Sequence, residues 1–210
     1  MIRNIIFDLD GTLLDTSEGI VEGIEFSINQ MGFNQLSHED LLSFVGPPPQ
    51  KTFMEKCGCD EVTAQKATDV FRKHYSEHTI LKAVPYDGIL ETCEQLKESG
   101  YKLAVATNKR EDLAKKLLSH FGFDQYIDII HGSDSLGKLK KSDVIIICLN
   151  EMQADPSETL VVGDTKGDAV GAQQTGCHFV GVTWGFGFKF ESECLCIIKS
   201  PDSLLSILKK

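Results

Sequence analysis

The sequence predicts an α/β protein: a parallel sheet covered by helices on both faces, with an all-helical unit inserted after the first strand. Three observations carry that expectation. Apolar, strand-like runs alternate with helical patterns from about residue 86 onward, as a parallel sheet requires. Residues 16–85 carry helical periodicity and no convincing strand. The first apolar run ends in two acidic residues, Asp8 and Asp10, on either side of Leu9.

The strand-like runs are Asn4–Leu9, Lys102–Thr107, Ile127–His131, Thr159–Val162 and His178–Thr183, with a weaker one near Cys196–Ile198. Each is short and rich in aliphatic residues, as strands buried on both faces are. Helical patterns cover Gly88–Ser99, Arg110–Phe121, Ser142–Met152, Asp168–Gln174 and Pro201–Leu208. Inside the insertion, Ile20, Ile24, Ile28 and Met31 recur at near-fourfold spacing. Gly32 is placed to stop that helix and Ser37 to cap the next. Gly46-Pro47-Pro48-Pro49 reads as a stiff turn. The expected division is therefore a core of residues 1–15 and 86–210 and a helical unit of residues 16–85.

A chain of 210 residues suits one large domain or a domain with an insertion. Its 41% hydrophobic and 25% charged residues are ordinary for a globular protein. The formal net charge of −10 argues against nucleic acid or an anionic membrane surface as partner. Seven cysteines include no CxxC pair. Cys93 and Cys148 fall in helical runs as small buried hydrophobes, and the two C-x-C pairs are too tight for ordinary zinc spacing. A reduced, cytoplasmic protein is expected. The N-terminus enters a strand within three residues, which leaves no room for a signal peptide, and no apolar run is long enough for a membrane span.

Ligands of open parallel sheets gather at the carboxyl ends of the strands. Here those ends carry polar groups: Asp8 and Asp10; Thr107 and Asn108; Asp164, Lys166 and Asp168; with Lys140 and Lys141 ahead of the following helix. Gly11 permits a sharp turn, and Thr12 adds a hydroxyl. Two carboxylates held close are unfavourable unless a cation or shared proton relieves them. Carboxylates and water suit a hard ion such as Mg²⁺, which commonly completes its shell with phosphate oxygens. Any one of these groups alone reads as a helix cap or a solvated side chain; their placement at successive strand ends points to a site.

On the motifs Asp8-Leu9-Asp10-Gly11-Thr12-Leu13-Leu14-Asp15, Ala104-Val105-Ala106-Thr107-Asn108, a lysine before a core helix, and Gly163-Asp164-Thr165-Lys166-Gly167-Asp168, the chain resembles the haloacid dehalogenase superfamily of phosphohydrolases. The insertion resembles the cap of the subgroup with a helical lid. Gly46-Pro47-Pro48 and Val182-Thr183-Trp184-Gly185 are similar to phosphoglycolate phosphatase-like members. The resemblance implies a Rossmann-like core, an inserted helical cap domain and Mg²⁺ as cofactor. It implies Asp8 as nucleophile and Asp10 as acid and base. The metal would be held by the Asp8 and Asp164 side chains and the Asp10 carbonyl, with Asp168 bracing the shell. Thr107, Asn108, Gly11 and Thr12 would receive the phosphoryl oxygens. The essential lysine would be Lys141, on the argument that Ser142 caps the helix beside it; Lys140 and Lys138 are the alternatives. Lys51, after the triple-proline turn, could reach a substrate anion.

The implied partner is a small phosphorylated metabolite, with phosphoglycolate first and a nucleoside monophosphate, pyrophosphate or sugar phosphate as alternatives. A monomer or homodimer is expected. A phosphosugar mutase would share the fold, and a phospho-accepting signalling module would share the acidic residues, threonine and lysine. Two other motifs weigh little. Gly132-Ser133-Asp134-Ser135-Leu136-Gly137-Lys138-Leu139 nearly matches a nucleotide P-loop but ends in a residue without a hydroxyl. His74-Tyr75-Ser76-Glu77-His78 fits an inverted zinc-protease pattern, yet it extends the apolar stripe of Ala67, Val70 and Phe71.

Overall fold

Ile5, Ile6 and Phe7 are wholly buried, as a strand covered on both faces requires. The computed structural model describes residues 1–134, 139–187 and 196–208. Among these, β1 (Asn4–Phe7) is central in a six-stranded parallel sheet. The other strands are β4 (Lys102–Arg110), β5 (Ile129–Ser133), β6 (Thr159–Gly163), β7 (His178–Val182) and β8 (Ile197–Ile198), in the order β5-β4-β1-β6-β7-β8. Two short strands, β2 (Leu14–Asp15) and β3 (Val84–Pro85), mark where the chain leaves the core and returns. The strand order turns outward in both directions from β1, which puts a crevice at its carboxyl end.

Alternation along the strands assigns the faces. Ile6, Ala104, Ala106 and Val161 pack with Val144, Ile145, Cys148, Leu149 and Met152 of α7 (Lys141–Met152) and Ala172 of α8 (Lys166–Thr175). The small Ala104 and Ala106 suit the close approach of α7, where the Cys148 thiol reaches the Val105 carbonyl at 3.3 Å. The core unit also holds α5 (Ile89–Glu98), α6 (Glu111–His120) and α9 (Ser203–Leu208). No helix among the described residues is long and apolar enough to cross a membrane.

The chain divides into two compact units, Met1–Asp15 with Pro85–Lys210, and Thr16–Val84. The second consists of α1 (Ser17–Met31), α2 (His38–Leu42), α3 (Pro49–Cys57) and α4 (Glu61–His74), the last running on into a π-helical turn at Tyr75–Thr79. Ile20, Ile24 and Ile28 of α1 are buried, while Met31 is half-buried. Gly32 ends the helix in the left-handed conformation, φ 69°, and the Ser37 hydroxyl accepts the Asp40 N–H at the start of α2. Along α1, Gly23 leaves room for the Phe71 ring, and the Ser27 hydroxyl donates to the Ala67 carbonyl at 2.7 Å. His74 stacks on Phe26 with ring centroids 3.9 Å apart, so the histidine pair of the zinc-like motif includes a packing residue.

Several expected ends move. β1 stops at Phe7 rather than Leu9, because the N–H groups of Thr12, Leu13 and Leu14 all turn back to the Leu9 carbonyl. α8 begins at Lys166, two residues before the expected start, because Thr165 and Asp168 form a reciprocal capping box. α7 begins at Lys141, and Ser142 is not its cap: Asp143 accepts the Lys140 N–H at 2.8 Å. β4 runs on to Arg110 because it bulges against β5. Ala106 pairs with His131 and Arg110 with Ser133, so Thr107, Asn108 and Lys109 lie opposite Gly132 alone.

Gly132 makes that bulge possible: a Cβ there would lie 2.7 Å from Glu111 Cα and 2.8 Å from Glu111 N. Backbone atoms cannot yield as a flexible side chain would. Gly132→Ala is therefore expected to cost about 1–3 kcal/mol, as overpacking does. Thermal melts should show Tm lowered by several degrees; an unchanged Tm would mean the bulge is not constrained at this point.

Candidate active site

The site is built at the carboxyl ends of β1, β4 and β6. Asp8 follows β1 directly, with its N–H donating to the Val162 carbonyl at 2.9 Å. Gly11 has φ +84°, and a Cβ there would lie 2.6 Å from Asp164 Cγ. Glycine thus meets two demands at once, a left-handed turn and close approach to a carboxylate. Asp164 follows β6, and Asp168 lies in the first turn of α8. Oxygens of Asp8, Asp164 and Asp168 lie within 4.8 Å of one another, and the three residues are buried.

Lys141 is the counter-charge. Its Nζ lies 2.6 Å from both Asp8 Oδ1 and Asp168 Oδ1. Placing it first in α7 lets the side chain run inward, and the residue is 7% exposed. Lys140 is exposed, and Lys138 lies outside the described residues. Asp168 is saturated by structure: Oδ1 meets Lys141, while Oδ2 accepts from the Thr165 N–H and hydroxyl. Asp164 differs. Its Oδ2 accepts from the N–H groups of Phe186 and Gly187, at 2.8 and 3.2 Å, while Oδ1 is buried with no hydrogen-bond partner among the described residues.

The sequence reading missed Lys109. Its ammonium lies 2.8 Å from Asp10 Oδ1, with the two side chains only 7% and 9% exposed. A strand ending at Thr107 would not have carried Lys109 to the site; the bulge does. Its position next to Thr107-Asn108 was the available signal. The structure thus separates the acidic pair: Asp8 belongs with Lys141 and the Asp164–Asp168 group, whereas the Asp10 side chain meets Lys109.

Thr107 is buried, and its hydroxyl accepts the Lys109 N–H at 3.1 Å; Asn108 is half-buried. The Thr12 hydroxyl and the Tyr86 hydroxyl are buried without a hydrogen-bond partner among the described residues. Trp184 donates its indole N–H to the Thr12 carbonyl at 3.1 Å, so it fastens the turn after β1. Lys51 belongs to the Thr16–Val84 unit, where it is exposed and 3.7 Å from Glu55.

Charge dominates this site. Burial pushes the Asp8 carboxyl up to about 8; Lys141 opposes that, while Asp168, Asp164 and Asp10 add to it. Burial, then Asp168, pushes Asp164 up to about 7 against the Phe186 N–H and Lys141. Burial works against the Lys141 ammonium, yet Asp168 and Asp8 outweigh it and hold its pKa above the ordinary lysine value. With all four carboxylates, Asp8, Asp10, Asp164 and Asp168, ionised, the two ammonium groups beside them among the described residues, Lys109 and Lys141, would leave two negative charges in the group. A divalent cation would neutralise them, and Asp164 Oδ1 is a buried acceptor suited to such a partner. The residues present fit a hard divalent ion.

A family model described as haloacid dehalogenase-like hydrolase matches residues 5–182. The chain belongs to that family. It is 34% identical over 189 residues to a 5'-nucleotidase of Pseudomonas aeruginosa, covering 90% of this chain and 86% of the relative. It is 33% identical over 186 residues to a phosphoglycolate phosphatase of Aquifex aeolicus, covering 88% and 86%. A crystal structure titled as a predicted phosphatase from Clostridium acetobutylicum superposes with a TM-score of 0.92 at 35% identity, covering all of both chains. This haloacid dehalogenase-like hydrolase shares its α/β architecture with that structure.

Because the folded-state values of Asp8 and Asp164 are raised, the folded protein holds protons that the unfolded chain has released above about pH 4. Their contribution to stability is fully present below that pH and is lost as pH rises through about 7 to 8. In chelator, the wild-type Tm should therefore fall between pH 5 and pH 8 relative to Asp164→Asn. Adding Mg²⁺ should raise the wild-type Tm more at pH 8 than at pH 5.5, and raise Asp164→Asn little at either. Thermal melts on both proteins check this; equal Mg²⁺ responses would mean that Asp164 does not hold an added divalent ion.

Proposed function

We propose that this hydrolase is a Mg²⁺-dependent phosphatase of small phosphate monoesters that works through a phosphorylated Asp8. The observation that carries the reading is the Asp8 carboxylate, buried, 2.6 Å from Lys141 and clustered with Asp164 and Asp168. An anionic nucleophile in a dry, anionic site needs a cation to let a phosphate approach. Asp8 and Asp164 would hold Mg²⁺ by their side chains and Asp10 by its carbonyl. When bound, the ion supplies charge neutralisation for nucleophile and phosphoryl oxygens.

The protein's own groups then divide the work. An Asp8 oxygen forms a bond to phosphorus while the bond to the ester oxygen breaks, and that oxygen takes the proton of Asp10. In the second step a water gives its proton to Asp10 and its oxygen to phosphorus; the bond to Asp8 breaks and inorganic phosphate leaves. Lys141 neutralises the nucleophile before attack. The Thr107 hydroxyl and the Asn108 N–H receive the phosphoryl oxygens, with Gly11 and Thr12 lining the turn beside them. Such positioning and charge balance are what phosphoryl transfer mostly requires.

The helical unit Thr16–Val84 acts as a cap that excludes water and selects the leaving group, with Lys51 a candidate contact for a substrate anion. Similarity to the phosphoglycolate phosphatase supports phosphoglycolate as first substrate to assay, and similarity to the 5'-nucleotidase supports nucleoside monophosphates next. Free thiols at all the described cysteines suit a reducing, cytoplasmic setting.

Asp8→Asn should abolish Mg²⁺-dependent turnover across a panel of phosphorylated metabolites while Tm in chelator stays near or above wild type. Retained turnover would rule out Asp8 as nucleophile. Asp10→Asn should accumulate more acid-stable, hydroxylamine-sensitive phosphoenzyme than wild type in a rapid quench. Lys141→Ala should lower kcat/KM by on the order of 1,000-fold or more, as loss of a main charge stabiliser does, and Lys140→Ala by less than about tenfold. The reverse order would move the lysine's role to Lys140.

A further inference from the structure

The two oxygens of Asp164 have different surroundings, and the difference is made by the loop after β7. The N–H groups of Phe186 and Gly187 both donate to Oδ2, at 2.8 and 3.2 Å. Trp184 anchors the same loop through its indole N–H, which donates to the Thr12 carbonyl at 3.1 Å. Gly185, between anchor and donors, permits the close approach. A Cβ there would meet the Gly11 carbonyl oxygen and Asp164 Oδ2, and would lie 2.5 Å from Asp164 Cβ. In Asp168, Oδ1 meets Lys141 and Oδ2 meets Thr165. Of this pair of carboxylates, Oδ1 of Asp164 is therefore the oxygen without a hydrogen-bond partner among the described residues, and it is buried.

We propose that residues 184–187 are a positioning segment: they limit Asp164 to a single donor oxygen, so that the site selects a small octahedral ion such as Mg²⁺ over Ca²⁺. Mg²⁺ demands near-ideal octahedral geometry and keeps several waters, so one oxygen from a carboxylate is enough. Ca²⁺ takes about six to eight oxygens and often gathers them through bidentate carboxylates. An oxygen already held by two N–H groups is withheld from that second bond, because taking it would break both hydrogen bonds. The donors belong to the backbone and cannot swing aside as a flexible side chain would. The inference rests on the reading of Asp164 as a ligand of the ion in a Mg²⁺-dependent phosphatase.

The test is competition for bound Mn²⁺, another hard divalent ion, followed by electron paramagnetic resonance of the free ion. Mg²⁺ or Ca²⁺ is the competitor, and no substrate is present. Wild type should bind Mn²⁺, release it to Mg²⁺, and release it less readily to Ca²⁺. Gly185→Ala forces the loop away from Oδ2, and Phe186→Pro removes the nearer N–H. Each should lower the ratio of the Ca²⁺ to the Mg²⁺ dissociation constant by on the order of tenfold, within the range that loss of a metal ligand's outer partner produces. Thermal melts establish that each variant is folded. If neither is, Trp184→Phe, which removes the anchoring N–H and leaves the backbone intact, is read for a shift in the same direction. A merely structural role would weaken both ions alike. An equal loss, no change or a shift toward Mg²⁺ in the variants, or a wild type that prefers Ca²⁺, overturns the role of the loop alone. Mg²⁺ that fails to displace Mn²⁺ from wild type, or Mn²⁺ binding undiminished in Asp164→Asn, overturns the metal reading and the inference with it.

Discussion

Excess negative charge, buried at one end of a parallel sheet, is the constraint on which the rest of the core depends. Asp8, Asp10, Asp164 and Asp168 are each less than a tenth exposed, and two lysines neutralise only part of the set. An unpaired buried carboxylate costs several kcal/mol, on the order of what a whole domain has to spare. The fold meets this by surrounding the group with donors. Lys141 bridges Asp8 and Asp168, backbone N–H groups of Phe186 and Gly187 hold one oxygen of Asp164, and Thr165 holds the other end of Asp168. Glycine at 11 lets the chain pass close to Asp164, where any side chain would collide. What stays unmatched among the described residues is one oxygen of Asp164 and, once all four carboxylates ionise, a double negative charge; that remainder has the chemistry of a divalent-cation site.

The architecture was legible in the sequence because parallel strands covered on both faces leave a plain record: short aliphatic runs, separated by helical periods. Its sheet, its helices and the helical character of residues 16–85 follow from that record. Element ends were less legible, and each for a local reason. Leu9 looks like the tail of a strand, but its carbonyl gathers three N–H groups and turns the chain. Ser142 looks like a cap, but Asp143 makes the hydrogen bond to the Lys140 N–H. Asp168 looks like either a cap or a site residue, and it is both, with one oxygen for Thr165 and the other for Lys141.

The acidic members of the candidate site were legible because carboxylates at successive strand ends have no cheap structural explanation. Lys109 was not, because its place depends on a register shift that no side-chain pattern announces. The sequence reading ends a strand at Thr107 and starts a helix at Arg110, whereas pairing of Arg110 with Ser133 keeps the chain in the sheet up to that residue. The glycine that permits this, Gly132, lies on the neighbouring strand and is remote in sequence. Side-chain identity could suggest a lysine near the site; only the geometry of two strands could say which carboxylate it meets.

Two lysines on two carboxylates do more than halve the charge. Had both ammonium groups gathered on Asp8, the buried Asp10 carboxylate would lack the ammonium that lies beside it. Had both gathered on Asp10, Asp8 would face Asp164 and Asp168 with no relief. An ammonium beside each lets two identical side chains, two residues apart, hold different positions. The arrangement asks for a lysine at the head of α7, the helix that follows β5, and another on the bulge of the adjoining strand β4. A parallel sheet whose order turns outward from β1 can supply both, because the ends of β1, β4 and β6 converge on the same crevice.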